Sequence, residues 1–328
     1  MSKGTKSRRD ALKTGAAVGV GLMLGSGQAS AMSSMPKPST KNRIPVRFDD
    51  PKWNRDARAR MEAYIDDPSK FSYGFGEGVV SAVLDNQKVR ELMRFEIFST
   101  KRIVPQPDGS YQRLLRELVF YRDLETNEIM DEWDNPLTGE RVRVVDVAND
   151  PFNYVISEFR APPPDYGGLN KEKPAKIPLL LNWRHLSDDI ISLEADIHLH
   201  YPSALQPEEW PRESPGSMSR VSELFRFFCR REDLENPDLK HVPSHGCWSR
   251  ITPWFPWMLM DQAPGHITYM GTMSSRQSLD QYPKDTLERV KARYPEYLEA
   301  PTTWEEPSLS SLERYALEQK PAPRKKDL

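Results

Sequence analysis

Cysteine is nearly absent from this 328-residue chain, which has only Cys229 and Cys247. No Cys-x-x-Cys pair and no haem-attachment sequence occurs, so covalent haem is not expected. Glycine is sparse too, 17 residues against 29 prolines, and no phosphate-cradling glycine loop is present, which speaks against a nucleotide cofactor. An excess of one charge is also missing. The 46 basic and 48 acidic residues give no support to nucleic-acid binding or an anionic-membrane patch. No apolar run approaches the roughly 20 residues that cross a bilayer, so no stable membrane span is expected. At 38% hydrophobic and 29% charged, the composition is that of a water-soluble globular protein.

Residues 1–31 read as a leader. Ser7-Arg8-Arg9-Asp10-Ala11-Leu12-Lys13 carries a twin-arginine pattern, and residues 14–25 are mildly apolar and glycine-bearing. Ala29-Ser30-Ala31 then supplies the small-x-small site of a signal peptidase, with cleavage after Ala31. One departure is Ala11, where a bulkier apolar residue is usual. The expected partner is the twin-arginine translocase, and the expected compartment is the periplasm. Loss of Lys3, Lys6, Arg8, Arg9, Lys13 and Asp10 shifts the formal charge from −2 to −6. That route carries folded proteins, which suits a metal or cofactor inserted beforehand. An oxidising compartment permits a Cys229–Cys247 bridge if their Cα atoms approach to about 6 Å; otherwise both are small apolar side chains.

Residues 32–43 form a polar, proline-bearing tether, 44–320 a single decorated β domain, and 321–328 a solvated tail containing Arg324-Lys325-Lys326. Within the domain, short turns separate apolar stretches that alternate with period two. Strands are expected over 93–104, 111–122, 128–133, 141–148, 152–158, 177–184, 190–201, 218–230 and 266–273. Turns of three to six residues leave no room for crossover helices, so neighbours pair antiparallel. Some eight to ten such strands suit a closed up-and-down barrel of lipocalin-like architecture, which removes edges and can hold one small ligand. A sandwich or an α+β fold is the alternative. Helices are expected over 53–65, 87–92, 284–293 and 310–318, the last opened by a Ser310/Glu313 capping box.

The stretch Ile190-Ile-Ser-Leu-Glu-Ala-Asp-Ile-His-Leu-His-Tyr201 carries the most chemistry. Alternation puts Leu193, Ala195, Ile197, Leu199 and Tyr201 on one face, and Glu194, Asp196, His198 and His200 on the other. Three readings stay open for that polar row. It is a wet outer face, a polar lumen where His198 and His200 act as base and acid tuned by Glu194 and Asp196, or part of a metal site. For a metal, His198-x-His200 needs a third ligand, with His266 the first choice and His241, His245, Glu194 and Asp196 also available. A cupin-type glutamate is missing after the pair, where Ala204 and Leu205 stand instead.

Three further segments bear on a small-molecule ligand. Pro243-Ser-His-Gly-Cys-Trp-Ser-Arg250 is not a nucleophile elbow and reads as a turn, with His245 beside a pocket mouth. The run 254–260 is the most apolar in the domain; it is core, or it lines a cavity through Trp254 and Trp257. Arg113, Arg116, Glu117 and Arg226 fall in strands, and an inward Arg116 could hold an anionic group.

The phrases DEWDNPLTGERVRVVDVANDPFNY, EADIHLHYPSALQPEEWPRES and TPWFPWMLMDQAPGH, with the ending PSLSSLERYALEQKPAP, resemble a bacterial family of exported proteins known only as a domain of unknown function. The resemblance implies kinship over nearly the whole domain and export behind a twin-arginine signal. It supplies no activity, cofactor or catalytic residue. The reading is therefore an exported enzyme working on a small, partly apolar molecule by acid–base chemistry, as a lyase, isomerase or hydrolase. A non-catalytic carrier of small ligands and a histidine-ligated metalloprotein are the alternatives. The sequence is silent on oligomeric state.

Overall fold

A computed structural model describes residues 43–149, 152–161, 176–305 and 308–324. The expected leader, including Arg8, Arg9 and Ala31, and the tether up to residue 42 lie outside the described residues.

The domain opens with helix α1 (Pro51–Glu62), started where Asp50 accepts hydrogen bonds from the backbone N–H groups of Lys52 and Trp53 at 2.9 and 3.3 Å. Three long strands follow in antiparallel succession: β1 (Ser72–Val83), β2 (Arg90–Pro105) and β3 (Tyr111–Arg122). Short pieces come next: β4 (Glu132–Asp134), β5 (Arg141–Arg143), β6 (Val147–Asn149), β7 (Tyr154–Ile156) and β8 (Asn182–His185). The second set of long strands is β9 (Ile190–Pro202), β10 (Met218–Arg230), β11 (His245–Thr252) and β12 (His266–Arg276), with helix α2 (Arg231–Glu235) between β10 and β11. Helices α3 (Lys284–Arg293) and α4 (Ser311–Glu318) follow the sheet.

Ten of these strands form one antiparallel sheet in the order β6-β3-β2-β1-β12-β11-β10-β9-β8, with β7 also on β3, while β4 and β5 make a separate hairpin. The sheet does not close into the expected barrel. Its edges are too short to zip: β6 and β7 have three residues each and β8 has four. Helix α1 occupies the seam instead. Ala57 and Met61 pack with Trp183, Ile191 and Leu193 from the β8/β9 side. Ala59 packs with Ile103 and Ile156 from the β2/β7 side. The buried Asn54 satisfies the β8 edge, accepting from Trp183 Nε1 at 2.8 Å and Leu181 N at 3.0 Å.

The outer face of β1–β3 is covered. Phe98, Leu118 and Phe120 pack against Tyr282, Val290 and Tyr297 from the α3 region. Among the described residues, no such cover lies on the outer face of β9–β12, where Met270 is 69% exposed. Sequence and structure part in three further places. Residues 87–92 are not helical; Asn86, at φ 58°, turns the chain and β2 begins at Arg90. The segment expected as a turn at 243–250 is mostly strand β11. Strand β1 falls in a stretch the pattern did not mark.

Candidate functional site

Inward side chains of the curled sheet line a hollow of about 1380 Å³. That exceeds the roughly 300–1,000 Å³ usual for small-molecule sites. Behind its aromatic wall, glycines let a ring pack directly on the sheet. Gly78 on β1 and Gly271 on β12 are directly opposed, and the Phe95 ring lies across them. A Cβ at Gly271 would sit 2.4 Å from Glu77 O and 2.5 Å from Phe95, so only glycine fits there. Phe95 then meets Trp248 edge-on at 5.5 Å and Tyr269 at 5.0 Å. Trp254, Phe255 and Trp257 extend this aromatic wall from the loop after β11, each buried in the core and each lining the hollow. From α4, Leu312 and Tyr315 line it as well. That helix starts on a capping box: Glu313 N donates to Ser310 Oγ at 3.2 Å, and Ser310 N donates to Glu313 Oε2 at 2.7 Å.

Of the carboxyls that line the hollow, two stand on the long strands of the sheet. Glu117, on β3, accepts a hydrogen bond from Asn149 Nδ2 at 3.1 Å, its cross-strand neighbour on β6. Burial lifts its proton affinity above the usual carboxyl range, and the charge of Glu223 adds to this against Arg113 and Lys101. Glu223, on β10, lies 3.3 Å from Arg250 Nη1, its cross-strand partner on β11. Burial opposes the Arg250 charge, but Glu223 and the nearby tyrosines outweigh it and keep the guanidinium protonated. Next to Arg250 across the β11/β12 pair stands Tyr269, whose hydroxyl shares a 2.9 Å hydrogen bond with that of Tyr121. Burial pushes both phenols above their usual range.

A second polar group lies around Glu62 at the end of α1. Its carboxylate meets Arg58, Lys101 at 3.3 Å and Arg113 at 3.8 Å, and accepts from the Tyr154 hydroxyl at 3.1 Å. Burial alone would raise the Glu62 pKa; the three cations more than offset it and hold the group ionised far below the usual range.

Among the described residues, several buried polar atoms of side chains that line the hollow have no hydrogen-bond partner: Trp248 Nε1, Arg250 Nε, Ser219 Oγ and Arg113 Nε. Unsatisfied donors of this kind cost free energy unless a ligand or water meets them.

The histidine row does not share this hollow. Ala195, Ile197, Leu199 and Tyr201 line it, and the alternate positions turn outward. Asp196, His198 and His200 are exposed. His198 Nδ1 lies 3.0 Å from Ser222 Oγ, and Asp196 pairs with Arg226 at 2.6 Å. Glu194 accepts from Asn182 at 3.0 Å. The expectation of a polar lumen at 194–200 is therefore corrected: curvature puts the apolar face of β9 inside. Nor do His198, His200 and His266 meet, and no three metal-ligating side chains come together among the described residues. Arg116 also lies away from the hollow, its Nη1 donating to the carbonyls of Glu296 and Glu299 at 2.6 and 3.2 Å. His245, Trp254 and Trp257 do line the hollow. Cys229 is buried, Cys247 is exposed, and both are free thiols.

The fold and site define a class: an open, curled antiparallel sheet around a large hollow lined by half-buried acids. Residues 71–318 match the family described as protein of unknown function, DUF1838, and the chain belongs to that family. No curated protein matches the chain.

Proposed function

We propose that this chain is an exported, periplasmic enzyme that acts on a small, partly apolar molecule by proton transfer inside the hollow. Glu117 is the proton-carrying group. The observation behind this reading is the unlike setting of the two inner acids: Glu117 has an amide neighbour and a raised proton affinity, while Glu223 is paired with Arg250. Paired acids in contrasting environments are what acid–base catalysis near neutrality requires. The reaction class is that of a lyase, isomerase or hydrolase. Export rests on the twin-arginine pattern at Ser7–Lys13 and the Ala29-Ser30-Ala31 site.

The decisive experiment incubates wild type and Glu117→Gln with periplasmic extract and follows small molecules by mass spectrometry. Wild type should convert at least one compound that Glu117→Gln retains unchanged. Identical retention by both proteins, with the bound compound recovered intact, overturns the enzymatic reading. It would favour a carrier, a second reading supported by the aromatic walls and the outward turn of His198 and His200.

A further inference from the structure

Charge is spread unevenly around the hollow. Lys101 on β2 and Arg113 on β3 are diagonal neighbours across that strand pair, and Arg58 joins them from α1. All three lie within ion-pair distance of one carboxylate, Glu62, so three cations face a single anion there. Elsewhere on the wall the charges match: Asp146 pairs with Arg289 at 3.0 Å, Glu223 with Arg250 at 3.3 Å and Glu318 with Arg314 at 3.2 Å. Glu313 is engaged in the α4 capping box, and burial holds Glu117 toward its neutral form. Among the described residues, the group around Glu62 is thus the one stretch of the wall where lysine and arginine outnumber carboxyls.

Part of this surplus is open. Arg58 meets both Glu62 and the Tyr154 hydroxyl through Nη2, which leaves Nη1 and Nε without an acceptor among the described residues. Lys101 Nζ carries three N–H groups and has one ion-pair partner there, Glu62 Oε2 at 3.3 Å. None of these three nitrogens is sealed off, unlike Arg113 Nε, and Lys101 and Arg58 keep 25% and 21% of their side-chain surface exposed. An ammonium and a guanidinium edge side by side can only donate, and they favour an acceptor that brings negative charge. A neutral group would leave the surplus unmet, and a cation would be repelled.

From Arg58 an aromatic track leads away along the wall. Its guanidinium lies over the Phe227 ring at 5.3 Å, Phe227 stacks on Phe225 at 5.8 Å, and Phe225 on Trp248 at 6.3 Å. All three rings line the hollow, and Tyr269 and Phe255 continue the apolar surface beyond them. We infer that the hollow takes an amphipathic carboxylate, a fatty or aryl-alkyl acid. Its head is received by Lys101 Nζ and the open edge of Arg58, and its body lies along Phe227, Phe225 and Trp248. This rests on the hollow being the small-molecule site proposed above and gives that site a ligand class.

Three probes with one body and different heads make the test: 6-phenylhexanoate, 6-phenylhexan-1-ol and 6-phenylhexylamine, each titrated into the full-length protein by calorimetry. The acid should bind about tenfold more tightly than the alcohol, and the amine most weakly. In Lys101→Met, which keeps an apolar stem and drops the charge, the advantage of the acid should shrink to about threefold or less. The alcohol should bind that variant as it binds wild type. Lys101→Arg, which keeps the charge, should retain most of the advantage. If Lys101→Met does not fold by circular dichroism, Arg58→Gln takes its place with the same expected loss. Equal binding of acid and alcohol, a preference for the amine, or an advantage unchanged in the folded variant overturns the inference while leaving a small-molecule site intact. No binding of any probe at millimolar concentration overturns it together with that site.

Discussion

Trp183 Nε1 donates to Asn54 Oδ1 at 2.8 Å, and this bond ties the edge strand of the sheet to the helix that fills its seam. The same oxygen accepts from Leu181 N, while Asn54 Nδ2 donates to the carbonyls of Phe48 and Asp50. One fully buried amide thus satisfies groups from the edge strand, the helix start and the segment before it. Asn54→Ala should destabilise the domain by about 2–3 kcal/mol, because it strands buried donors of both neighbours. Urea unfolding measures this, and a loss under about 0.5 kcal/mol would contradict the role given to the seam.

Glu117 supplies a pH signature. Its native pKa lies above the unfolded value, so the folded state binds more protons between the two. Its stabilising effect is full below the unfolded value of about 4.3 and is lost as pH rises through the raised native pKa. Glu117→Gln should remove that decline, making stability flatter over this window than in wild type. Thermal melts across pH in both proteins are the check.

Glu62 has the opposite sign. Its native pKa is depressed, so the stability it contributes is present above about 4.3 and disappears as pH falls. Glu62→Gln should cost about 3–5 kcal/mol at neutral pH, since Arg58, Lys101 and Arg113 would keep their charges without a partner. A soluble variant with a wild-type melting temperature would refute this.

The outward histidines should be silent. His198→Ala with His200→Ala should change stability by no more than about 0.5 kcal/mol and leave ligand binding in the hollow intact. A marked loss of binding would mean that β9 presents its other face inward.

The thiols should react unequally. Cys247 is exposed and should label in the native protein. Cys229 is buried, and burial pushes its thiol up to about 12, so it should label only after unfolding. Mass spectrometry after alkylation distinguishes one modified thiol from none or two.

Much of the framework was legible. Strand β3 and strand β10 occupy the stretches their alternation marks, 111–122 and 218–230, and α4 starts on the Ser310/Glu313 box. Strand β1 escaped because Gly74, Gly76 and Gly78 depress β propensity, even though their spacing of two is itself a strand signal. Strand β11 escaped because Ser244-His245-Gly246-Cys247 resembles a turn when read locally. Its extended form comes from pairing with β10 and β12 on both sides. Glu117 was visible only as one charged residue in a strand. What distinguishes it is burial in the assembled sheet, with a smaller contribution from the charge of Glu223, a residue more than a hundred positions away.

From the chain alone one could tell which residues share a face of each strand, where several turns and caps fall, and that the strands run antiparallel, since these depend on neighbours a few positions apart. Which face turns inward is different, because a period of two is blind to exchanging the sides. Only the assembled sheet decides it: the curl around α1 turns Ile197 and Leu199 toward the hollow side of β9 and sends His198 and His200 to the outer face. The same curl brings Glu117 and Glu223, from opposite halves of the chain and from strands with four others between them, to one hollow, a juxtaposition that no local pattern encodes.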